Sequence, residues 1–354
     1  MALHATDPSS VYLSAWARVD GLTIADVDRA LYAERSLVKQ LAMRRTLFVF
    51  PRAALPAAVG GPSARVATAE RKRLVKEVEK EGLHDDGAAW LAAASDAVID
   101  VLADGVPRSS SELRDLIPLL EGGIEYGQGK SWGGIVPVGP RVLTVVSALG
   151  QIVRGPNDGG WTVSRPKWTA MHAWLGEHVE PMDEQDGTTE LVRDWLRAFG
   201  PGTVADLKWW LGGTVRGVKA ALAALGAVEV SLEGGETGWL LPDDLEPEPP
   251  VEPWAALLPS LDPTIMGWTS RDWYLGPHRE HVFDAVGNAG HSAWWDGRVV
   301  GGWRQDGGGA IELQLLEDPG ADGRAALEAQ AERLAAWVQG TRSVPRFPSP
   351  LSKR

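Results

Sequence analysis

One pattern of signals recurs along the chain and restricts its fold more than any other feature. Asp7-Pro8 reads as a helix start, since Asp caps free amides and Pro suits the first helical position. The spacing predicts a helix over 8–19 and a second one opened by Thr23. Leu37-Val38 and Leu47–Phe50 then read as strands joined near Met43-Arg44-Arg45. The order returns in a second copy. Ser109-Ser110-Ser111-Glu112 is a capping signature, a Gly-rich insert spans 122–134, and 141–149 suits a recognition-type helix. Ile152–Arg154 and Trp161–Val163 are expected as strands around Asn157-Asp158-Gly159-Gly160. The third copy is the clearest. A helix over 188–199 breaks at Gly200-Pro201-Gly202, Thr203 and Thr214 cap two further helices, and strands over 228–232 and 239–241 flank Gly234-Gly235.

Helix, helix and hairpin together are the skeleton of a winged helix, and three copies form an internal repeat of long, irregular period. The expected fold class is therefore α+β: tandem winged-helix domains followed by a C-terminal β-rich domain. The boundaries read as a first winged helix over 1–52, connecting Ala-rich helices over 53–105, a second winged helix over 106–180 and a third over 187–245. A Pro-rich acidic linker follows at 246–254. The β-rich domain spans 255–342, with strands expected in HVFDAVG, HSAWWDG, RVVGGWRQ and AIELQLL and a closing helix over 321–339. The tail, 343–354, is expected to fray.

Composition removes several function classes. With no cysteine there is neither a disulfide framework nor a thiolate-bound metal. No apolar run approaches the roughly 18–20 residues of a membrane span, and the N-terminus lacks a signal-peptide pattern, so the expected location is the cytoplasm. The net charge of −12 argues against a general polyanion binder. The acid excess falls almost wholly beyond residue 150, however, which leaves room for a basic groove in the N-terminal part.

Several stretches then resemble one family. They are Leu3-His4-Ala5-Thr6-Asp7 followed by YLSAWARVDG, Met43-Arg44-Arg45-Thr46-Leu47, FGPGTVADLKWWLGG, LLPSLDPTIMGWTSRDW and DGRVVGGWR. Together they resemble the winged-helix DNA glycosylases of the AlkZ and YcaQ type over nearly the whole chain. The resemblance implies tandem winged helices around a concave DNA-binding face. It also implies excision of N7-alkylated purines, in base-excision repair or in self-resistance to a genotoxin, with no cofactor and no metal. Double-stranded DNA, preferentially damaged, is the implied partner, and the protein is expected to be a monomer. Active members carry Gln-x-Gln or Gln-x-Asp where this chain has His4-Ala5-Thr6, and usually a further helix ahead of it, so the first module is expected to be N-terminally truncated relative to the family.

The chemistry falls on His4, Thr6 and Asp7. In an extended segment His4 and Thr6 point the same way and could hold a water between imidazole and hydroxyl. N-glycosidic hydrolysis needs that water near C1′ and stabilisation of an oxocarbenium-like sugar. A cationic alkylpurine leaves without a general acid, so a water-positioning group suffices. Neutral His4, with an ordinary pKa near 6.5, is a competent base. Asp7 could stabilise the cation or simply cap the helix. Arg44 and Arg45 at the first hairpin tip suggest phosphate or minor-groove contact. Arg141 and Arg154 flank the second recognition-type helix and wing, Lys208, Arg216 and Lys219 mark the third, and Arg271 either contacts DNA or pairs with Asp262. Arg71–Glu77 reads as a solvated helix face. His278 and His281 lack a metalloprotease Glu, and Gly127-Gln128-Gly129-Lys130-Ser131 lacks phosphate-loop spacing, so zinc and nucleotide sites are rejected. Two other readings are a non-catalytic winged-helix DNA-binding protein or regulator, marked by dimerisation on two half-sites, and a protein that sequesters a genotoxin or its adduct without cutting.

Overall fold

The computed structural model describes residues 2–127, 129–131 and 133–353; Gln128 of the Gly-rich stretch lies outside the described residues. The first copy of the unit opens with a short strand, β1 (Leu3–His4), then α1 (Pro8–Trp16) and α2 (Ile24–Asp28), which a π-helical turn extends over Arg29–Ala33. Thr23 and Asp26 form the capping box of α2. Strands β2 (Leu37–Ala42) and β3 (Thr46–Pro51) complete a three-stranded sheet in the order β1-β3-β2. The register pairs His4 with Phe48 and Phe48 with Gln40, so these three side chains share one face. Leu3, Val49 and Lys39 share the other, which packs on α1 and α2 through Val11, Tyr12, Val27 and Leu31.

The connecting segment is helical, as expected: α3 (Leu55–Ala58), α4 (Ala64–Lys80) and α5 (Gly87–Leu102). The second copy runs α6 (Ser110–Leu116), a β4/β5 hairpin (Gly123–Tyr126 and Gly134–Pro137), α7 (Gly139–Ala148), and β6 (Ile152–Asn157) paired with β7 (Pro166–Ala170). The expected strand at 161–163 is absent, because Trp161 leaves the wing to pack on Tyr12 and Trp337 at 5.4 and 5.8 Å. The pairing strand therefore starts later, at Pro166.

A short helix α8 (Met171–Leu175) leads to the third copy: α9 (Glu184–Phe199), α10 (Val204–Leu211), α11 (Val215–Ala224) and the wing β8 (Val228–Ser231) and β9 (Thr237–Leu240). Thr203 and Thr214 cap α10 and α11, and Gly212 takes the left-handed φ of +60° that ends α10. One core joins this copy to the first, running from Phe48 and Phe50 to Trp195, Leu207 and Trp210. Burial of side chains of this size contributes about 1.5–3 kcal/mol each, which ties the two copies firmly together.

The C-terminal part is a four-stranded antiparallel sheet in the order β10-β11-β12-β13 (Ala255–Leu258, Ser292–Trp295, Arg298–Gln305, Ile311–Leu315). Two short helices, α12 (Asp272–Leu275) and α13 (Arg279–Val282), precede β11, and α14 (Gly320–Val338) closes the fold. Two expectations are corrected here. HVFDAVG is no strand, because its first residues finish α13 and only Phe283 makes a single bridge, to Ala289. The tail does not fray: Arg346 N–H donates to Asp7 at 2.9 Å, and Ser349 and Leu351 are buried against Gly290 and Gly302.

The β-rich part grips α1. Leu13 and Trp16 enter its core beside Val300 and Trp303. The expected Asp262–Arg271 pair is not formed. Asp262 is held instead by Arg18, at 2.7 and 2.9 Å through both oxygens, and by the Ser14 hydroxyl at 2.6 Å. Arg18 lies just past the end of α1, at the opposite end from the cap that follows His4-Ala5-Thr6, so the ion pair fixes the helix that carries that segment.

Candidate active site and nucleic-acid interface

His4 is placed by strand pairing, and Ala5 N–H continues the ladder to the Leu47 carbonyl at 2.8 Å. The backbone is still extended at the Asp7 cap (φ −96°, ψ 114°), so alternation along the chain sets His4 and Thr6 to one side and Ala5 to the other. His4 is 9% exposed and its ring lies 5.1 Å from that of Phe48. Nδ1 is buried without a hydrogen-bond partner, whereas Nε2 is not sealed. Burial, and secondarily the Arg44 guanidinium, push the imidazole pKa down to about 3. This corrects the expectation of an ordinary base near 6.5. His4 is neutral at physiological pH and suits holding a water better than taking its proton.

Thr6 is half-buried, and its hydroxyl has no partner among the described residues. Asp7 is in a different position. It is 2% exposed; one oxygen accepts from Ser9 N–H (3.2 Å) and hydroxyl (2.8 Å), and the other from Ser260 (3.1 Å) and Arg346 N–H (2.9 Å). A carboxylate so filled is a cap and a staple for the tail, which leaves it little capacity to face a sugar cation.

Arg44 and Arg45 form the hairpin tip, both with left-handed backbone (φ 54° and 60°). The strain is supported from outside: Arg44 packs on Gly212 at the α10–α11 turn, where an added Cβ would come within 3.1 Å of the Arg44 side chain. Its guanidinium lies 4.0 Å over the Trp209 ring, while Arg45 reaches Glu70 at 3.5 Å. On the same indole sits Arg271, at 4.8 Å; Arg271 also lies 4.7 Å from the Phe283 ring, where Arg279 approaches to 5.3 Å. Three guanidiniums thus alternate with two aromatic rings, and none of the three has a carboxylate partner among the described residues. Burial, then the neighbouring Arg271, lower the Arg44 pKa to about 10, so Arg44 remains charged at physiological pH. Asp206 offsets part of the charge at Arg271, while Arg44, exposed at the hairpin tip without an ion pair among the described residues, is placed to meet a phosphate.

The remaining cations divide. Lys208, Arg216 and Lys219 are exposed on α10 and α11 without ion pairs among the described residues. Arg271 is 5% exposed, and its Nε donates to the Trp268 carbonyl at 2.7 Å, so it supports Trp209 rather than reaching out to a groove. Arg141 is turned inward by Glu77 and Tyr126 and is unavailable to DNA. Arg154, on β6, lies 4.9 Å from the Trp168 ring and lines a cavity with Lys39. Arg279 carries no signal in the sequence, because only the fold sets Phe283 between it and Arg271. The Trp209-Trp210 doublet does carry one: one ring is buried and the other is the platform for the arginines.

No group of three or more His, Asp or Glu side chains is placed to hold a metal ion among the described residues. No helix there is long and apolar enough to cross a membrane.

No curated protein matches the chain. Among solved structures, the Streptomyces sahachiroi DNA glycosylase AlkZ superposes with a TM-score of 0.73 at 21% identity, covering 98% of this chain and 90% of that one, which shows a shared fold. The model of the family described as "DNA glycosylase AlkZ-like" matches residues 1–337. The chain belongs to the AlkZ-like DNA glycosylase family, with DNA as its partner.

Proposed function

We propose that the protein hydrolyses the N-glycosidic bond of N7-alkylated purines in duplex DNA, acting as a monomer with preference for the damaged duplex. The observation that carries this reading is the neutral imidazole of His4, with an unpaired ring nitrogen and an unsealed Nε2, on the same small sheet whose hairpin tip presents Arg44 without an ion pair among the described residues. A buried polar atom without a partner costs about 1–3 kcal/mol, and such sites are retained where they serve a ligand.

An N7-alkylpurine is already cationic. Its departure needs no proton donor, and the attacking water becomes acidic only as the C1′ bond forms. His4 and Thr6 hold that water, whose proton passes to bulk solvent as the C1′–O bond forms and the purine leaves as a neutral base, and a neutral imidazole adds no positive charge beside the developing sugar cation. Arg44, Arg45, Lys208, Arg216 and Lys219 contact phosphates.

The test is to methylate duplex DNA with a simple alkylating agent, incubate it with the protein, and identify the released bases by mass spectrometry. Release of 7-methylguanine supports the reading, and release of no alkylated base refutes it.

A further inference from the structure

On the opposite face of the β1-β3-β2 sheet from His4 lies a second group of cations that the preceding account leaves unused. Lys39 is 8% exposed, and its amine donates to the Tyr32 hydroxyl at 2.7 Å. Arg154, from β6, lies beside it with Nε buried and unpartnered. Arg346, from the C-terminal tail, donates to the Ser164 hydroxyl at 3.3 Å, and its charge bears on Arg154. None of the three has a carboxylate within ion-pair distance among the described residues. Lys39 and Arg154 line a small cavity together with Asn157, Ser164 and Ala5, the central residue of the His4-Ala5-Thr6 segment.

Three elements from distant parts of the sequence deliver these charges to one place, and each charge raises the cost of the others. Burial, then Arg154, pull the Lys39 pKa down to about 7. Burial, then Arg346, pull that of Arg154 down to about 10. Burying like charges beyond ion-pair distance of any carboxylate is costly, only partly offset at Lys39 by the Asp28 charge, and an incoming anion would recover that cost. Size narrows the choice of anion. The cavity is narrow, with room for about one oxygen atom and too little for a whole orthophosphate. A phosphodiester on a strand presents such an oxygen outward.

We propose that the cavity formed by Lys39, Arg154, Asn157 and Ser164 receives a non-bridging oxygen of the DNA backbone, from a phosphodiester adjoining the target nucleotide. The "adjoining" part rests on the reading that the target lies at His4 and Thr6, since Ala5, which lines the cavity, stands between them in the chain. Lys39 and Arg154 then act as positioning residues that hold the strand on the catalytic segment.

The experiment measures binding, so its result is separable from any failure of base excision. A duplex carrying one tetrahydrofuran abasic analogue is titrated into the parent, Lys39→Met and Arg154→Met proteins over a range of salt. Lys39→Met removes a buried amine that burial already disfavours in its charged form and should fold about as well as the parent; the thermal midpoint checks this. Each substitution is expected to weaken binding about tenfold and to lower the salt slope by about one. A phosphate oxygen on the amine raises the Lys39 pKa, so at pH 8 the parent should take up a proton on binding, measurable by calorimetry in two buffers. The groups that face Lys39 are Tyr12, Asp28, Tyr32, Arg154 and Arg346, and Lys39→Met should abolish the uptake if Lys39 is its source. Orthophosphate should compete no better than its ionic strength predicts. Folded variants with unchanged affinity and salt slope would overturn the proposal. So would proton uptake that persists in Lys39→Met, or specific competition by orthophosphate.

Discussion

A buried neutral imidazole makes a stability prediction that can be worked through. His4 is held near pKa 3 in the folded chain, against an ordinary value of 6.5 when unfolded. The lowered value means that the native state favours the uncharged ring. The stabilisation is complete above pH 6.5 and is lost as the pH falls from 6.5 toward 3, because the unfolded state binds a proton that the folded state refuses. At pH 5 the unfolded ring lies 1.5 units below its pKa, so the loss is about 2 kcal/mol at 1.36 kcal/mol per unit. His291, fully buried and stacked 3.8 Å from Trp303, is held near 4 and adds a similar amount. Replacing His4 by Gln keeps a polar side chain and removes the titration. The expected result is that His4→Gln loses about 2 kcal/mol less than the parent between pH 7.5 and pH 5. This appears as a thermal midpoint that falls about 3 °C less. Tryptophan fluorescence reads the transition, with the urea midpoint as a second measure. An identical pH response in parent and variant would refute the reasoning, since it would mean that His4 takes up its proton within the folded chain.

Other predictions follow from single contacts. Arg44→Met should weaken binding of undamaged duplex about tenfold and reduce the salt slope by about one, as expected for a lost phosphate contact. Arg141→Met should leave affinity unchanged, because Glu77 and Tyr126 already occupy that guanidinium. Arg18→Met strands the buried Asp262 and should cost about 3 kcal/mol in chemical denaturation; a cost below about 1 kcal/mol would show that the pair is not what fixes α1 to the β-rich part. Asp7→Asn should free the tail, with tryptic cleavage after Arg342 or Arg346 appearing early in a time course, whereas the parent resists it.

Legibility in the sequence follows the range of the interaction concerned. Capping pairs such as Thr203 with Asp206, and the glycine that ends α10, act within four residues and can be read directly from the amino-acid order. So can the alternation that places His4 opposite Ala5 and the resemblance carried by the LDPTIMGWTSRDW stretch. The strand expected at 161–163 does not form because Trp161 answers to Tyr12 and Trp337, both far from it along the chain. The Asp262–Arg271 pairing gives way for the same kind of reason: the true partner, Arg18, is 244 residues away. Nothing local in Pro345–Arg354 shows that Asp7 waits for the tail, so the segment reads as frayed. The site shows both cases. His4 and Thr6 are visible as a pair, but the burial that lowers the imidazole pKa, and Arg279 in the arginine stack, exist only once the modules meet.

The central claim is that His4, neutral and partly unpaired, holds the water that attacks C1′. Single-turnover release of base from a duplex with one N7-methylguanine tests it most directly, using the parent and His4→Leu across pH 5 to 8. The account predicts excision by the parent at a rate that stays level across this range, because His4 remains uncharged throughout, and a loss of at least a hundredfold in His4→Leu at undiminished affinity. Equal rates in the two proteins, or a parent rate that falls steeply below pH 6.5, would contradict it.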